Sequence, residues 1–132
     1  MRALTPLCLG LLFACAPNIG DSCNDSSDCS VNGSRICDTA QPSGYCTVRN
    51  CDPDTCPGRS ICVEWRGIPD RTAIAFCMDR CNGDGACRRQ YSCMGVDDPR
   101  LLEDGDPLAQ IVDLEIRPDA RFCVADPALV DE

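Results

Sequence analysis

Fourteen cysteines in a chain of 132 residues constrain the possible folds more than any other feature of this sequence. So much cysteine beside only 5% aromatic residues is typical of a scaffold held by disulfides rather than by a large core. Disulfides persist in oxidising compartments, which predicts a periplasmic, cell-surface or extracellular protein. Zinc is the usual alternative, but the sequence has no histidine and no C-x-x-C pair. We therefore predict disulfides and no cofactor.

The cysteines from Cys23 to Cys123 divide into three sets of four with similar spacing. The first gap within a set is 5, 4 and 5 residues, the second is 7, 5 and 5, and the third is 8, 14 and 29. An aromatic residue precedes each fourth cysteine, namely Tyr45, Phe76 and Phe122. Repetition of this kind indicates similar units in tandem. We predict module one at 23–46, module two at 51–77 and module three at 81–123, followed by a tail at 124–132.

Each module begins with loop sequence and ends with strand-like sequence. The first two cysteines of a set lie among turn residues, and the last two lie on runs that resemble the strands of a hairpin. In module two these runs are 62–65 and 73–77, on either side of a turn at 67–70. The predicted fold class is therefore small and disulfide-rich, with three four-cysteine modules that each combine a loop with a β-hairpin, and with little helix.

Module three carries an insert at 97–121. Residues 97–106 are acidic and contain proline and glycine, which favours a mobile loop. Between Ile111 and Ile116, apolar and acidic residues alternate, which predicts an extra strand.

Four cysteines can pair in three ways, and the sequence does not decide between them. Modules this short bury too little surface to fold on a core alone, so two bridges in each are expected. We favour first-to-third and second-to-fourth pairing, because each loop cysteine then reaches a different hairpin strand. We expect each module to be a local fold that survives loss of a bridge elsewhere. The predicted bridges are Cys23–Cys37, Cys29–Cys46, Cys51–Cys62, Cys56–Cys77, Cys81–Cys93 and Cys87–Cys123.

The N-terminus has the pattern of a bacterial signal peptide. Arg2 precedes an apolar run of eleven residues, Leu4 to Ala14, which is shorter than the ~20 residues that span a membrane. The run ends at Cys15 in the sequence Leu-Phe-Ala-Cys, which resembles the lipobox at which bacterial lipoproteins are acylated and cleaved. Phe13 departs from the small residue usual at its position.

That resemblance implies a signal peptide at 1–14, a lipid on Cys15 and a tether at 15–22. Because Ala16, and not an aspartate, follows the cysteine, it also implies an outer-membrane lipoprotein that faces the periplasm or the surface. The alternative is a soluble secreted protein cut after Ala16, but this cut would place Pro17 directly after the scissile bond.

The spacing in residues 20–46 resembles a second family. Cys23, Asp28-Cys29, Gly33 and Cys37 are similar to the pattern of the Dickkopf N-terminal cysteine-rich domain. The layout of the whole chain resembles cysteine-rich surface lipoproteins of Gram-negative bacteria. Both resemblances imply an extracellular binding or spacer role without catalysis.

Composition argues against several functions. The net charge of −9 repels phosphate backbones, so nucleic acid is not expected as a partner. The absence of histidine removes Ser-His and Cys-His nucleophiles. We therefore predict no enzyme and no catalytic residue. The favoured function is a membrane-anchored binding or structural module with a protein or glycan ligand.

Two other functions remain open from the sequence. Oxygen ligands in turns would suit a calcium-dependent adhesion module, and the candidates are Asp79, Asn82, Asp84, Asp104 and Asp106. A substrate-like loop at 67–72, with Arg71 exposed, would suit a protease inhibitor. Trp65 is either a binding anchor or, as we expect in a chain this poor in aromatics, a side chain packed on a disulfide.

Overall fold

The computed structural model describes residues 16–66 and 73–130. Within these ranges the chain forms short strands, three 3₁₀ turns and one four-residue helix, which confirms the predicted small, disulfide-rich class with little helix. The 3₁₀ turns are Ser26–Asp28, Asp84–Ala86 and Pro99–Leu101. The other elements are β1 (Ile36–Asp38), β2 (Tyr45–Thr47), β3 (Ile61–Arg66), β4 (Ala73–Met78), β5 (Arg80–Cys81), β6 (Tyr91–Met94), β7 (Leu102–Glu103), β8 (Asp106–Pro107), β9 (Ala109–Ile111), β10 (Arg121–Ala125) and α1 (Pro127–Val130).

The same hairpin recurs in all three modules. The third and fourth cysteines of each set face each other across antiparallel strands: β1 with β2, β3 with β4, and β6 with β10. Each of the two then bonds to a different loop cysteine, with Cα–Cα separations between 5.4 and 5.9 Å. The six bridges are the first-to-third and second-to-fourth pairs favoured from the sequence: Cys23–Cys37, Cys29–Cys46, Cys51–Cys62, Cys56–Cys77, Cys81–Cys93 and Cys87–Cys123.

Gly44 shows how tightly a bridge packs on its hairpin. Its φ is +67°, and a Cβ at this position would lie 2.0 Å from the carbonyl oxygen of Cys23. The same Cβ would lie 2.9 Å from both sulfurs of the Cys23–Cys37 bridge. Only glycine fits both the left-handed backbone and the space, so the turn of module one requires it.

Packing joins the modules, contrary to the expectation of three local folds. β3 pairs on one side with β4 and on the other with β9, which comes from the insert of module three. One core cluster contains Tyr45 of module one, the Cys62 and Cys77 sulfurs of module two, and Tyr91 of module three. A second joins Ile61 and Val63 to Met94 and Phe122. Modules of this size bury more apolar surface together than apart.

The insert is more ordered than the sequence predicts. Residues 97–106 do not form a mobile loop. They contain a 3₁₀ turn, in which Leu101 is buried, and then the first strand of the β7–β8 hairpin. Asp98 caps this turn through the Arg100 amide, and Arg100 forms ion pairs with Asp98 and Asp126. Hydrogen bonds from Arg100 lower the pKa of Asp98 to about 2. These contacts fix the segment to the C-terminal end of the chain.

The extra strand of the insert is β9, at 109–111, and not the predicted 111–116. Alternation fails after Ile111 because Asp113 is buried whereas Leu114 is 84% exposed. The Asp113 carboxylate accepts hydrogen bonds from the amides of Asp54, at 2.6 Å, and Cys62, at 2.9 Å. A polar side chain thus takes the inward position that the pattern assigned to apolar residues.

The chain is already part of the fold before Cys23, so the predicted tether at 15–22 is wrong for its later residues. Ile19 is buried, the Gly20 amide donates to the Cys46 carbonyl at 2.9 Å, and the Cys46 amide donates to the Asp21 carbonyl at 2.9 Å. Residues 19–21 therefore lie along β2 and are bonded to it. The C-terminal tail also continues β10 and ends in α1.

Candidate binding groove

A cavity of about 330 Å³ opens where the three modules meet, and we call it the groove. Its apolar lining comes from β3, β4 and β10: Trp65, Phe76, Met78, Val124 and Ala125. Its remaining lining comes from module one: Asp38, Gln41, Tyr45 and Thr47. Ligand sites in proteins are concave and mostly apolar, with a few polar groups that orient the ligand. The groove has this composition.

The apolar side of the groove follows from the register of β3 and β4. Ile61 pairs with Met78, Val63 with Phe76, and Trp65 with Ile74, so these six side chains share one face of the sheet. Met94 and Phe122 cover the half of this face that holds Ile61 and Val63. Trp65, Phe76 and Met78 are left at the edge of that core, where they are half-buried and line the groove.

Trp65 is held in place by an aromatic contact rather than by a disulfide. Its ring meets that of Phe122 edge-on, with 5.9 Å between the ring centroids. It packs against the second core cluster, whose members are Ile, Val, Met, Leu, Ala and Phe. Our expectation of a disulfide contact was therefore wrong, and the geometry fits the other interpretation, a binding anchor. The cause is the packing of β6 and β10 on the β3–β4 face, which the cysteine spacing does not encode.

Two of the four module-one residues have polar atoms that are already engaged. The Thr47 hydroxyl donates to the Cys77 carbonyl at 2.8 Å, and the Tyr45 hydroxyl accepts from the Asp79 amide at 2.8 Å. Burial raises the pKa of Tyr45, so this phenol stays neutral. Asp38 and Gln41 are half-buried, and they are the lining groups that can offer polar atoms to a ligand.

Arg88 fixes module one against module three behind the groove wall. Its guanidinium donates to the carbonyls of Gly20, at 2.8 Å, and Pro42, at 3.2 Å, to the Gly44 carbonyl, and to the Tyr91 hydroxyl, at 3.1 Å. It also lies 4.3 Å from the centroid of the Tyr91 ring. Burial raises the pKa of Tyr91, whereas the charge of Arg88 and its hydrogen bond to the phenol act in the opposite direction. The groove wall from module one is thus held by a planar, multiply bonded cation.

The predicted calcium candidates form two groups, Asp79, Asn82 and Asp84 or Asp104 and Asp106. In the first group, Asp79 is paired with Arg59 at 3.0 Å, and Asp84 accepts a hydrogen bond from the Cys93 amide. In the second group, Asp104 and Asp106 flank the exposed β7–β8 turn. In the ranges 16–66 and 73–130, the clusters of three potential metal-ligating groups consist of cysteines alone. All of these cysteines are in disulfides and offer no thiolate.

Two predicted sites lie outside the described residues. One is the signal peptide with the lipidation site, residues 1–14 and Cys15. The other is the loop at 67–72 with Arg71, the candidate protease-inhibitor loop. No helix in the described part of the chain is long and apolar enough to cross a membrane.

Comparison with known proteins gives no match. No family model fits the chain, and neither a curated protein nor a solved structure aligns with it. The groove and the sequence are therefore the features from which function is inferred.

Sequence analysis did not find the groove as a site. The run from Ile61 to Phe76 does show alternating apolar residues on two strands, which predicts an apolar sheet face. Nothing in the sequence indicates which part of that face stays uncovered, and Asp38 belongs to no motif. Its place in the groove depends on how module one packs on module two.

Proposed function

We propose that the protein is a secreted binding module, anchored by a lipid at the bacterial cell envelope, and that the groove is its ligand site. The single observation that carries the proposal is the groove itself, because half-buried aromatic side chains form a concave surface on a frame that six bridges make rigid. Burying a large apolar side chain stabilises a complex by about 1.5–3 kcal/mol, so even a small groove can supply useful affinity. A rigid frame also reduces the ordering cost of binding.

Trp65 allows a direct test, because it is the only tryptophan of the chain and it lines the groove. The neutral dye N-phenyl-1-naphthylamine should bind and quench Trp65 emission by energy transfer. Phe76→Gln should weaken dye binding about tenfold, because it replaces apolar lining by an amide.

Ile74→Gln is the matched control for Phe76→Gln. Ile74 lies on the same face of β4 but does not line the groove, so this variant should bind the dye as the unchanged protein does. Equal loss in both variants, or no quenching in any of them, would contradict the groove as a binding site.

The anchor is supported by the lipobox-like sequence that ends at Cys15. Because the Pro17 carbonyl already accepts a hydrogen bond from the Arg35 guanidinium, only Ala16 lies between Cys15 and the body. At about 3.5 Å per residue, this link spans roughly 7 Å, so the body would lie close to the acyl chains. The protein would therefore lie at the membrane surface rather than on a long stalk.

Replacement of the anchor cysteine tests this part of the proposal. Cys15→Ser should move the protein from the membrane fraction to the soluble fraction and abolish labelling by a fatty-acid analogue. Cys8→Ser, which lies inside the predicted signal peptide, is the control and should leave both unchanged. A Cys15→Ser protein that still labels and sediments with membranes would rule the anchor out.

A further inference from the structure

We propose that the groove binds an apolar peptide segment that carries a lysine or arginine. The inference rests on the proposed function, because it specifies the ligand of the same groove. The first observation is the lining itself. Trp65, Phe76, Met78 and Val124 offer room for large apolar side chains, and about 330 Å³ is at the small end of ligand sites. Such a volume suits one or two side chains of a peptide rather than a bulky cofactor.

The second observation is an uncompensated charge at the module-one end of the groove. Among the residues that the structure describes, 16–66 and 73–130, Asp38 is the one charged residue that lines the groove. One oxygen of its carboxylate accepts a hydrogen bond from the Ala40 amide at 3.1 Å. The ion pairs within residues 16–66 and 73–130 involve Glu64 and other aspartates, and none includes Asp38. A half-buried carboxylate beside an apolar surface favours a ligand that brings its own cation.

Arg88 does not supply that cation. Its guanidinium carbon lies 5.9 Å from the centroid of the Tyr45 ring, so it lies near the groove wall. However, four of its five N–H donors are used by three backbone carbonyls and the Tyr91 hydroxyl, and it forms no ion pair with Asp38. The contact that Asp38 lacks is therefore left for a ligand.

A peptide meets the chemistry of the groove better than other apolar ligands. The side-chain amide of Gln41 lines the groove and can both donate to and accept from a peptide backbone. The net charge of −9 opposes anionic lipids and nucleic acids but attracts basic segments. A segment with apolar side chains next to lysine or arginine thus satisfies the lining, Gln41 and Asp38 together.

Three capped tripeptides that differ only in their third residue test the inference, with Trp65 emission as the measure of binding. They are acetyl-Phe-Leu-Lys-amide, acetyl-Phe-Leu-Gln-amide and acetyl-Phe-Leu-Glu-amide, titrated into the full mature protein at low salt. We expect the lysine peptide to bind about fivefold more tightly than the glutamine peptide, which is the effect of one ion pair at a partly exposed site. The glutamate peptide should bind most weakly, and salt should reduce the difference.

Asp38→Asn should abolish this preference, because asparagine keeps the oxygen that accepts from Ala40 but loses the charge. Asp104→Asn is the matched control: it removes the same charge at an exposed turn where asparagine tolerates the φ of +52°. It should keep the preference. Equal binding of the three peptides, or a preference that survives Asp38→Asn, overturns the cationic ligand but leaves groove binding intact. Binding of none of them overturns both this inference and the groove as a ligand site.

Discussion

Arg88 carries more inter-module contacts than its place in the sequence suggests. It follows a loop cysteine and precedes a second arginine, Arg89, which is exposed. From there it reaches the carbonyl of Gly20, before module one, and carbonyls in the turn of the module-one hairpin, and it stacks on Tyr91. A guanidinium suits this position because it presents several donors in one plane, whereas an ammonium is a single point. Arg88 therefore adds directional polar contacts to the apolar contact between Tyr45 of module one and Tyr91 of module three.

Replacement of Arg88 by a neutral residue should lower the stability of the whole protein. Arg88→Gln should lower the free energy of unfolding by about 2–3 kcal/mol, because half-buried carbonyls lose a charged donor. Arg88→Lys should recover only part of this loss. Denaturant titration of the oxidised protein measures both, with Arg89→Gln as the matched control that should change stability by less than about 0.5 kcal/mol. Equal effects at positions 88 and 89 would show that the contacts of Arg88 with module one do not stabilise the fold.

At the scale of elements, two aspartates lock the insert onto the loop of module two. Asp113 accepts from the amides of Asp54 and Cys62, and Asp54 in turn accepts from the amide of Leu114 at 3.1 Å. This exchange lies directly after β9 and ends its pairing with β3. A strand as short as β9 buries little surface by itself. These hydrogen bonds therefore help to fix its register against β3.

The Asp113 carboxylate is required because it serves two amides with two oxygens. Asp113→Asn keeps the shape but presents an NH₂ group to one of them, which leaves a donor facing a donor. We expect a loss of about 1–3 kcal/mol in unfolding free energy, with faster hydrogen exchange at the Cys62 amide. Asp119→Asn, at an exposed aspartate paired with Arg117, should change neither quantity. Unchanged exchange at Cys62 in the Asp113 variant would contradict the lock.

At the scale of the whole molecule, the covalent pattern and the packing divide the chain differently. Every bridge closes within one cysteine set. The hydrophobic core extends across the module boundaries, because both core clusters contain residues of more than one module. The Cys123 amide even donates to the carbonyl of Asp79, in the link between modules two and three. The modules are thus covalent units of one cooperative fold.

Removal of one bridge should therefore affect more than its own module. The double variant Cys56→Ala/Cys77→Ala should lose about 2–4 kcal/mol and should still unfold in a single transition. Amide exchange in β6 and β10 of module three should accelerate along with that in β3, because the second core cluster joins them. Full protection of module three in this variant would restore the simpler picture of independent modules.

The local half of this structure can be predicted from the amino-acid sequence. Cysteine spacing, turn residues and the aromatic before each fourth cysteine predicted three hairpins, because bridges and turns act over short stretches of chain. The same information favoured the pairing that the structure contains, through the need of each loop cysteine for its own strand. Alternation of apolar residues failed at Leu114, where a hydrogen bond from a distant amide outweighed the pattern.

How the modules meet depends on long-range packing, which the sequence does not reveal. The pairing of β9 with β3 and the hydrogen bonds from Arg88 to module one join residues more than forty positions apart. The groove likewise brings Asp38 of module one together with Trp65 and Val124. Such contacts are selected by shape and by the satisfaction of buried polar groups, and neither leaves a periodic trace in a sequence. The groove exists because three hairpins, each predictable alone, leave one apolar corner uncovered when they pack together.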